Sequence, residues 1–529
     1  MPERRILLPT RRRALLAALL TGPLFALAQE PAGLFFLAPL CLLPLLAALA
    51  GRGARARLGL GAAAGTAAAW ASAVGPGAVG AAEFLARPLW QGAAVTFFSG
   101  TFFGGLGFAT FSLLAGDPLR GGAAAVLRAG AAFAAAELVR AKLFTGLPWL
   151  LLAYALAPAP GLAQLAAWGG VALASFCLAA IPAAILLLFL PGERRAGALA
   201  LAALSLAVAL AGVSSRIEAN LVPAGRAGPG TVRAAEGPAP PEGALRVALA
   251  QPALPMAAWA DPSRAAETVA RLVSLSAKDP RAPFDLVVWP ENAIQVLLPA
   301  NRHLVERALA GLGNRADRLL LGAPRSSRER PGLRHNSALL YGGSAEPVAV
   351  HDKVHLLPFF EYLPGGLGFL GLPTAGLAPG RTPGALPLET TRIGPLICYE
   401  VLYPEIARAQ VRDGAGLLAN LSNDAWFGRS GGAEQHLSAA VLLAIQLRRP
   451  LLRATPTGVT AAIDARGRLV ASLPADEPGL LVVDVIPGRV LSGYARIGES
   501  LGWLALLATA VWTARDARPR GRRFPSGRG

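Results

Sequence analysis

The sequence predicts an α-helical membrane bundle joined to a separate α/β domain outside the bilayer. The chain has 529 residues, 54% of them hydrophobic, with a mean hydropathy of +0.48. It is too long for one ordinary domain and too apolar for a soluble protein of this size. Apolar stretches of membrane-spanning length fill residues 1–213. Short strand-like runs then alternate with amphipathic helices over residues 245–490.

Eight stretches have the apolar character of membrane-spanning helices. Most reach the roughly 20 residues that cross the hydrocarbon core. The weakest carries Arg128 and Glu137, and charges in a span favour the interior of a bundle or a cavity. The predicted spans are 13–29, 32–50, 59–79, 91–115, 121–140, 163–190, 196–213 and 498–514.

Basic residues beside these stretches give an orientation. Arginines precede the first stretch, separate alternate pairs of stretches and follow the last one. With eight spans, all of these groups fall on one side, which we assign to the cytoplasm, and the α/β domain is then outside. Residues 1–30 also resemble a secretory signal with Ala26-Leu27-Ala28 as a small-residue cleavage site, but another apolar span follows almost at once, which favours retention.

The formal net charge of +18 does not indicate nucleic-acid binding. Many arginines lie beside hydrophobic runs, where they act as topology signals rather than as a basic folded face. Three scattered cysteines form neither a disulfide framework nor a metal-ligand pattern. No phosphate-binding loop is present either, so no metal or organic cofactor is implied.

Composition divides the chain into four parts. Residues 1–213 form a bundle of seven spans, 214–244 a Pro/Gly/Ala-rich linker, 245–490 the α/β domain, and 491–529 a last span with a basic tail. Strands of the domain are predicted at 245–251, 285–289, 318–323, 336–342, 346–352, 392–398, 415–421, 458–464, 468–473 and 479–485, and helices at 262–278, 301–312, 403–412 and 432–448.

Glu291, Lys353 and Cys398 each stand where a predicted strand ends. Ligands gather outside the carboxyl ends of strands in open α/β architectures. The chemistry that fits these three is nucleophilic acyl transfer, because a thiol attacks as a thiolate and needs a base and a nearby positive charge. Glu291 can take the thiol proton, while Lys353 and the backbone N–H of Tyr399 can stabilise the oxyanion. Taken singly, the three are more often a helix cap, a solvated turn residue and a packed core thiol.

Five local sequences occur in order along the chain: Trp289-Pro290-Glu291, the run from Lys353 to Tyr362, Cys398-Tyr399-Glu400, the run from Ser422 to Gly428 followed by Gln435-His436, and Arg453-Ala454-Thr455. In these stretches and in its membrane bundle the chain resembles the apolipoprotein N-acyltransferases of Gram-negative inner membranes. That family is part of the nitrilase (carbon–nitrogen hydrolase) superfamily. The resemblance implies a bundle of about eight spans and a nitrilase-like αββα sandwich.

The resemblance also implies roles for individual residues. Glu291 matches the general base, Lys353 the oxyanion stabiliser and Cys398 the nucleophile. The supporting residues of the family match Glu361, Tyr399 and Glu400, and the aromatic residues near its lipid-access region match Trp259, Trp426 and Phe427. As isolated residues, these aromatics are more often part of a core. Phe360, in place of glycine, and Pro456, in place of asparagine, depart from the family pattern.

The implied activity is transfer of an acyl chain from a membrane phospholipid, through a thioester, to the N-terminal amine of a diacylglyceryl-cysteine apolipoprotein. The implied setting is the bacterial inner membrane, with a periplasmic catalytic domain, both termini in the cytoplasm and a monomeric protein. Residues 363–380 are apolar and uncharged, and we expect a mobile lid there that contacts lipid through Phe369 and Leu370, although an ordinary packed loop fits equally.

Two other classes of function remain open at the level of the sequence. A membrane-anchored amidase or hydrolase of the same superfamily uses the same three residues with water as the acceptor. A non-catalytic scaffold or transporter is disfavoured, because the spans contain few paired charges of the kind that line a transport path.

Overall fold

The computed structural model describes residues 6–85, 88–220, 229–235, 240–254, 256–259, 261–358, 360–363, 365 and 374–517. A helical bundle precedes an α/β domain, and a last helix returns to the bundle. The helices are α1 (Arg11–Ala28), α2 (Leu43–Leu49), α3 (Ala54–Leu85), α4 (Leu89–Ala115), α5 (Ala123–Lys142), α6 (Ala166–Leu188), α7 (Arg194–Asn220), α8 (Met256–Trp259), α9 (Ala265–Ala277), α10 (Arg302–Leu312), α11 (Pro404–Arg412), α12 (Gly432–Leu447), α13 (Gly493–Ile497) and α14 (Ser500–Ala517).

Four stretches of the described residues combine the helical length and the hydropathy needed to cross a bilayer. They belong to α3, α4, α6 and α7 and agree with four of the predicted spans. The helices α1, α5 and α14 have 18, 20 and 18 residues and occupy three further predicted spans, but charged residues lower their hydropathy. The total of eight spans therefore stays a prediction.

The predicted span 32–50 differs from expectation because it is not one helix. It contains a single 3-10 turn, Phe35–Leu37, and the seven-residue helix α2. Pro39 lies between the two and cannot donate a helical hydrogen bond, while Pro44 is tolerated only because it falls in the first turn of α2. The segment 32–50 nevertheless carries the chain from the C-terminal end of α1 back to the level of the N-terminal end of α1.

Basic loops collect at the end of the bundle where α1 begins. The Arg52 guanidinium donates to the carbonyl oxygen of Leu8 over 2.7 Å, so the chain has returned to the start of α1 after α2. At the same end, Asp117 accepts from the backbone N–H of Gly51 over 3.2 Å and pairs with Arg120. Arg52 and Arg120, which the sequence assigns to one side, therefore contact carbonyl and carboxylate groups at one end of the bundle.

The α/β domain lies at the other end of the bundle. Gln435 of α12 donates to the carbonyl oxygens of Glu30 and Ser72 over 3.0 and 2.8 Å, and it accepts from the indole N–H of Trp149 over 2.8 Å. One buried amide side chain thus joins the domain to three separate segments of the bundle.

Two β-sheets form the centre of the domain. The seven-stranded sheet has the order β1-β13-β2-β3-β4-β5-β6, and the six-stranded sheet has the order β12-β11-β10-β9-β8-β7. The strands are β1 (Val232–Ala234), β2 (Leu245–Gln251), β3 (Leu286–Val288), β4 (Leu319–Ser326), β5 (Arg334–Tyr341), β6 (Pro347–Asp352), β7 (Leu386–Pro387), β8 (Arg392–Ile397), β9 (Ala415–Leu421), β10 (Leu451–Ala454), β11 (Ala461–Ile463), β12 (Leu469–Ser472) and β13 (Gly479–Val485).

The sheets pack face to face through a shared apolar core, and helices cover both outer faces. The helices α9 and α10 pack on the seven-stranded sheet, while α11 and α12 pack on the six-stranded sheet and on the bundle, with which they share one continuous core. The predicted αββα sandwich is therefore confirmed. The helix α9 is amphipathic, whereas α12 is buried almost all round, because it has a sheet on one side and the bundle on the other.

Short elements account for the other differences from the sequence prediction. The helix α7 continues to Asn220, and β1 pairs antiparallel with β13, so the predicted linker 214–244 contains regular structure. The strands β7 and β10 also form where no strand was predicted. Strands of two to four residues are stabilised by the neighbour with which they pair, so their own sequence carries little signal.

Candidate active site

Glu291, Lys353 and Cys398 meet at one edge of the sandwich, where strands of both sheets end. Glu291 follows β3 and Lys353 follows β6 in the seven-stranded sheet, whereas Cys398 follows β8 in the six-stranded sheet. The Nζ atom of Lys353 lies 3.9 Å from Oε1 of Glu291, and the Cys398 thiol is close enough to the Glu291 carboxylate for each group to shift the pKa of the other. The structure thus brings together the three side chains that the sequence singled out.

The Glu291 carboxylate is buried and anchored on one oxygen. Asn336 of β5 donates its Nδ2 hydrogen to Oε1 over 2.7 Å. Burial raises the pKa of Glu291 above its usual range, and the neighbouring Lys353 cation offsets only part of this effect. A carboxylate with a raised pKa is a stronger base, which suits a group that takes a proton from a thiol.

Lys353 is fully buried between two carboxylates. Its Nζ atom donates to Oε1 of Glu361 over 2.8 Å, and Oε2 of Glu361 accepts from the backbone N–H of Leu357 over 2.7 Å. Burial alone lowers the pKa of a lysine, but Glu361 and Glu291 raise that of Lys353 above its usual value, so the ammonium group stays charged. Glu361 therefore connects the lysine to the backbone of the loop that follows it.

Cys398 lies in a strained turn between a strand and a helix. Its φ of +50° is in the left-handed region that residues with side chains rarely adopt. It directly follows β8 and begins the 3-10 helix Cys398–Leu402. Burial, followed by the negative charge of Glu291, raises the pKa of the Cys398 thiol to about 12. The resting group is therefore a thiol that needs its base when it attacks.

Glu400 connects the segments that carry the lysine and the nucleophile. Its carboxylate accepts from the backbone N–H groups of Val354 and Ile397 over 2.6 and 2.8 Å, and it pairs with Nε2 of His351 at 3.1 Å. Burial alone raises the pKa of a carboxyl group, but His351 and the backbone donors lower that of Glu400 below its usual range. The Glu400 carboxylate is therefore fully supplied with hydrogen-bond donors, and it fixes the loop that follows Lys353 relative to the turn that carries Cys398.

Tyr399 connects the nucleophile turn to the bundle. The hydroxyl of Tyr403 lies 3.1 Å from the hydroxyl of Tyr399 and 3.4 Å from the carbonyl oxygen of Gly146, in the loop after α5. The ring of His355 stacks on Tyr403 with 3.5 Å between ring centroids. The edge of the domain that carries the nucleophile therefore faces the bundle.

A second buried polar cluster lies on the other side of Cys398, and sequence reasoning assigned it no role. The Asp424 carboxylate accepts from the Arg453 guanidinium over 2.5 Å and pairs with Nδ1 of His436 at 3.1 Å. Arg453 also donates to Oδ1 of Asn420, whose Nδ2 donates to the carbonyl oxygen of Cys398. Asp424, His436 and Arg453 belong to the local sequences that carry the family resemblance. Asn420 does not, and it could have been noticed only as the one polar side chain in the apolar strand β9.

Trp426 and Phe427 lie at the junction between the domain and the bundle. They end the 3-10 helix Asp424–Phe427 and pack against α3 at Gly80. The ring centroid of Phe427 is 5.6 Å from that of Trp149 in the bundle. This location is compatible with the lipid contact expected of both residues.

Trp259, the third aromatic residue expected to contact lipid, lies elsewhere in the domain. Trp259 is 1% exposed and packs in the core between α9 and the seven-stranded sheet, where its ring fills the space beneath an amphipathic helix. Its expected contact with lipid stays a prediction. Phe369 and Leu370, on the expected lid, lie outside the described residues.

The two departures from the family pattern lie in loops. The carbonyl oxygen of Phe360 accepts from the backbone N–H of Ala375 over 2.9 Å, and that of Pro456 accepts from Ala253 over 2.8 Å. These two contacts use the backbone, which is available to any residue type at these positions.

Known proteins resemble both halves of the chain. Residues 246–492 match the carbon-nitrogen hydrolase family, and residues 21–184 match the apolipoprotein N-acyltransferase N-terminal domain. An apolipoprotein N-acyltransferase of Geobacter metallireducens is 37% identical over 52% of this chain and 54% of that protein. One of Caulobacter vibrioides is 33% identical over 74% of this chain and 73% of that protein. A solved mutant of an amidase from Nesterenkonia sp. AN1 is 21% identical, with a TM-score of 0.37, over 50% of this chain and 97% of that chain.

Proposed function

The chain belongs to the apolipoprotein N-acyltransferase family, and from that premise we propose that it acylates lipoproteins through a thioester on Cys398. The acyl donor is a membrane phospholipid, and the acceptor is the N-terminal amine of a diacylglyceryl-cysteine apolipoprotein. One observation carries the proposal: the thiol, its base and a buried ammonium group meet at the edge of the domain that faces the bundle. Substrates that stay in the bilayer reach a site at that edge.

In the first half-reaction, the Cys398 thiol proton moves to the Glu291 carboxylate while the sulfur attacks the ester carbonyl carbon of the phospholipid. The carbonyl oxygen becomes an oxyanion, stabilised by the Lys353 ammonium group and the backbone N–H of Tyr399. The intermediate collapses, the ester C–O bond breaks, and the leaving alkoxide takes the proton from Glu291. The products are a lysophospholipid and a thioester on Cys398.

In the second half-reaction, the α-amine of the apolipoprotein attacks the thioester carbonyl carbon, and Glu291 takes a proton from the attacking amine. The same donors stabilise the second oxyanion. The C–S bond breaks, the sulfur takes the proton back from Glu291, and an amide is released. Atoms and charges balance with no cofactor, and the nucleophile is regenerated.

We place the enzyme in the bacterial inner membrane as a monomer, with the catalytic domain in the periplasm and both termini in the cytoplasm. The location of Arg52 and Arg120 at the end of the bundle remote from the domain supports this orientation. Cysteine-scanning with a membrane-impermeant thiol reagent in a Cys398→Ala background, where the two remaining native cysteines are buried, tests it. A cysteine introduced at Arg302, on the exposed α10, is labelled in intact spheroplasts, and one introduced at Arg55 is not.

Intact-mass analysis of the full-length protein tests the chemistry. After incubation with phospholipid vesicles, the wild type carries an added acyl mass that hydroxylamine removes, and Cys398→Ala carries none. A diacylated lipopeptide with a free amine discharges the adduct and gains the acyl group. The same lipopeptide with an acetylated amine is the matched control and leaves the adduct intact.

Two outcomes contradict the proposal and identify the alternatives. Discharge by water alone, with release of free fatty acid at the same rate with or without lipopeptide, indicates a membrane-anchored hydrolase. No adduct on folded wild-type protein indicates that the three residues do not act as a nucleophilic site, and a binding scaffold then becomes the better account.

A further inference from the structure

Asn420 is a fully buried side chain on β9 that contacts the main chain of the nucleophile. Its Nδ2 atom donates to the carbonyl oxygen of Cys398 over 3.3 Å and to that of Leu396 over 3.1 Å. β9 lies beside β8 in parallel register, which brings the asparagine next to the turn where β8 ends. The amide therefore bonds to the peptide unit that links the nucleophile to the next residue.

The geometry of a peptide unit gives this contact a consequence for catalysis. The carbonyl of Cys398 and the N–H of Tyr399 belong to the same planar unit and point in opposite directions. A donor that fixes the carbonyl therefore fixes the direction of the N–H as well. The Tyr399 N–H lies in the first turn of the 3-10 helix Cys398–Leu402, where N–H groups have no carbonyl partner within their own helix.

The strained backbone at Cys398 makes such a fixed point necessary. With a φ of +50°, this turn is not the preferred conformation of the chain and persists only if its surroundings hold it. Glu400 holds one side by accepting from the N–H of Ile397, and Asn420 holds the other side through the carbonyl of Cys398.

Arg453 orients the asparagine. Its guanidinium donates to Oδ1 of Asn420, which leaves the Nδ2 hydrogens directed at Cys398 and Leu396. The other arm of the guanidinium is held by the carboxylate of Asp424. A cationic donor on the amide oxygen also polarises the amide and strengthens its donation.

We infer that Asn420, oriented by Arg453, is a positioning residue that aims the Tyr399 N–H at the oxyanion formed during acyl transfer. The inference rests on the proposed thioester chemistry and deepens it. The hydrogen bonds of Asn420 join two main-chain carbonyl oxygens and Arg453, so we expect its effect to be specific to steps that create an oxyanion. Attack of the thiol on a saturated carbon creates none and is independent of Asn420.

Two rates measured on the full-length protein separate these cases. One is the acylation of Cys398 by phospholipid vesicles, and the other is the alkylation of Cys398 by iodoacetamide, both followed by mass spectrometry of the peptide that contains Cys398. In Asn420→Ala, which removes the donor and adds no charge beside the thiol, we expect acylation to fall by about 10²-fold and alkylation to stay unchanged. Asn420→Leu, of similar size, is expected to behave in the same way.

Gln410→Met is the matched control. Gln410 has a buried side-chain amide that donates to the carbonyl oxygen of Pro395 over 2.7 Å. Pro395 lies on β8, the strand that leads to Cys398, but this contact does not involve the peptide unit between Cys398 and Tyr399. Its loss is expected to leave both rates unchanged. Acylation and alkylation that fall together in both Asn420 variants, or acylation that stays at the wild-type rate in them, overturn the inference. If the wild type alkylates but never acylates, the proposed function fails and the inference fails with it.

Discussion

Two buried ionic clusters flank Cys398, and they differ in how far their charges are satisfied. In the first, a single ammonium group, Lys353, faces two carboxylates, Glu291 at 3.9 Å and Glu361 at 2.8 Å. In the second, a single carboxylate, Asp424, faces the Arg453 guanidinium and a ring nitrogen of His436. The first cluster is rich in acceptors and the second is rich in donors.

The pKa values follow this difference. Burial raises the pKa of Glu291, and the attraction of the Lys353 cation is too weak to reverse this effect. Burial opposes ionisation of Asp424 as well, but Arg453 and His436 lower its pKa well below the usual range. A proton can therefore be taken up at Glu291, whereas Asp424 stays ionised throughout. Glu291, the carboxylate that reacts, therefore has too few donors to stabilise its charge fully, whereas Asp424, the carboxylate that holds Arg453, has enough.

Of all the substitutions, Glu291→Gln is expected to have the largest effect. It should lower the rate of acylation without lowering the stability of the fold. Acylation of Cys398 by phospholipid falls by about 10²–10⁴-fold, because the amide cannot take the thiol proton. The fold is kept, since Gln still accepts from Asn336 and Lys353 keeps Glu361 as its partner. The measurements are the acylation rate and the thermal midpoint in detergent. A midpoint that falls together with the rate contradicts the distinction drawn between the two clusters.

Asp424→Asn is the matched change in the other cluster, and it is expected to act mainly on stability. It leaves the fully buried Arg453 guanidinium without its counter-ion, which costs about 3–5 kcal/mol of the free energy of unfolding. The measurement is chemical denaturation in detergent beside Glu291→Gln. Wild-type stability of Asp424→Asn shows instead that water or His436 compensates the arginine, and the cluster is then not the anchor that the comparison requires.

The pH dependence of the acylation rate also distinguishes the two clusters, and its expected effect is smaller than that of either substitution. Glu291 must be ionised to act as a base, and its pKa is raised, so acylation falls about tenfold per pH unit below a pKa that lies above the usual value of about 4.3. The stability contributed by protonated Glu291 is present below its unfolded pKa and is lost as pH rises through the folded pKa. For Asp424 the contribution is present above its unfolded pKa of about 3.9 and is lost as pH falls through the lower folded pKa.

Acidification should therefore stop acylation while the protein is still folded. The measurements are single-turnover acylation rates and near-UV circular dichroism on the same samples, from neutral pH downwards. Loss of activity that coincides with loss of the circular dichroism signal contradicts the assignment of the acid limb to Glu291.

Local patterns account for what the sequence predicted correctly. The amphipathic helix α9 and the apolar strands β2 and β9 are visible in their own residues and were confirmed. The interrupted span 32–50 was missed because its hydropathy, averaged over the window, hides the effect of two prolines. The position of α12 was also out of reach, since an apolar helix does not reveal which two surfaces cover it.

The candidate site shows the same limit. Glu291, Lys353 and Cys398 could be predicted because each residue type is chemically informative and each stands at a strand end. The role of Asn420 depends on the register between β8 and β9, which the sequence does not state. The burial of Trp259 was equally out of reach, because resemblance to a family position does not say which elements cover the ring.

The smallest effect is expected where a charge pair lies in water. Glu346 pairs with Arg302 of α10, and both side chains are largely exposed, at 66% and 46%. We expect Glu346→Gln to change the free energy of unfolding by less than about 1 kcal/mol, because solvent screens the pair and hydrates the arginine that remains. The measurement is the denaturation curve used for Asp424→Asn. A loss as large as in that variant means that charge pairing itself, and not burial of the guanidinium, sets the cost, and the contrast between the two buried clusters then loses its physical basis.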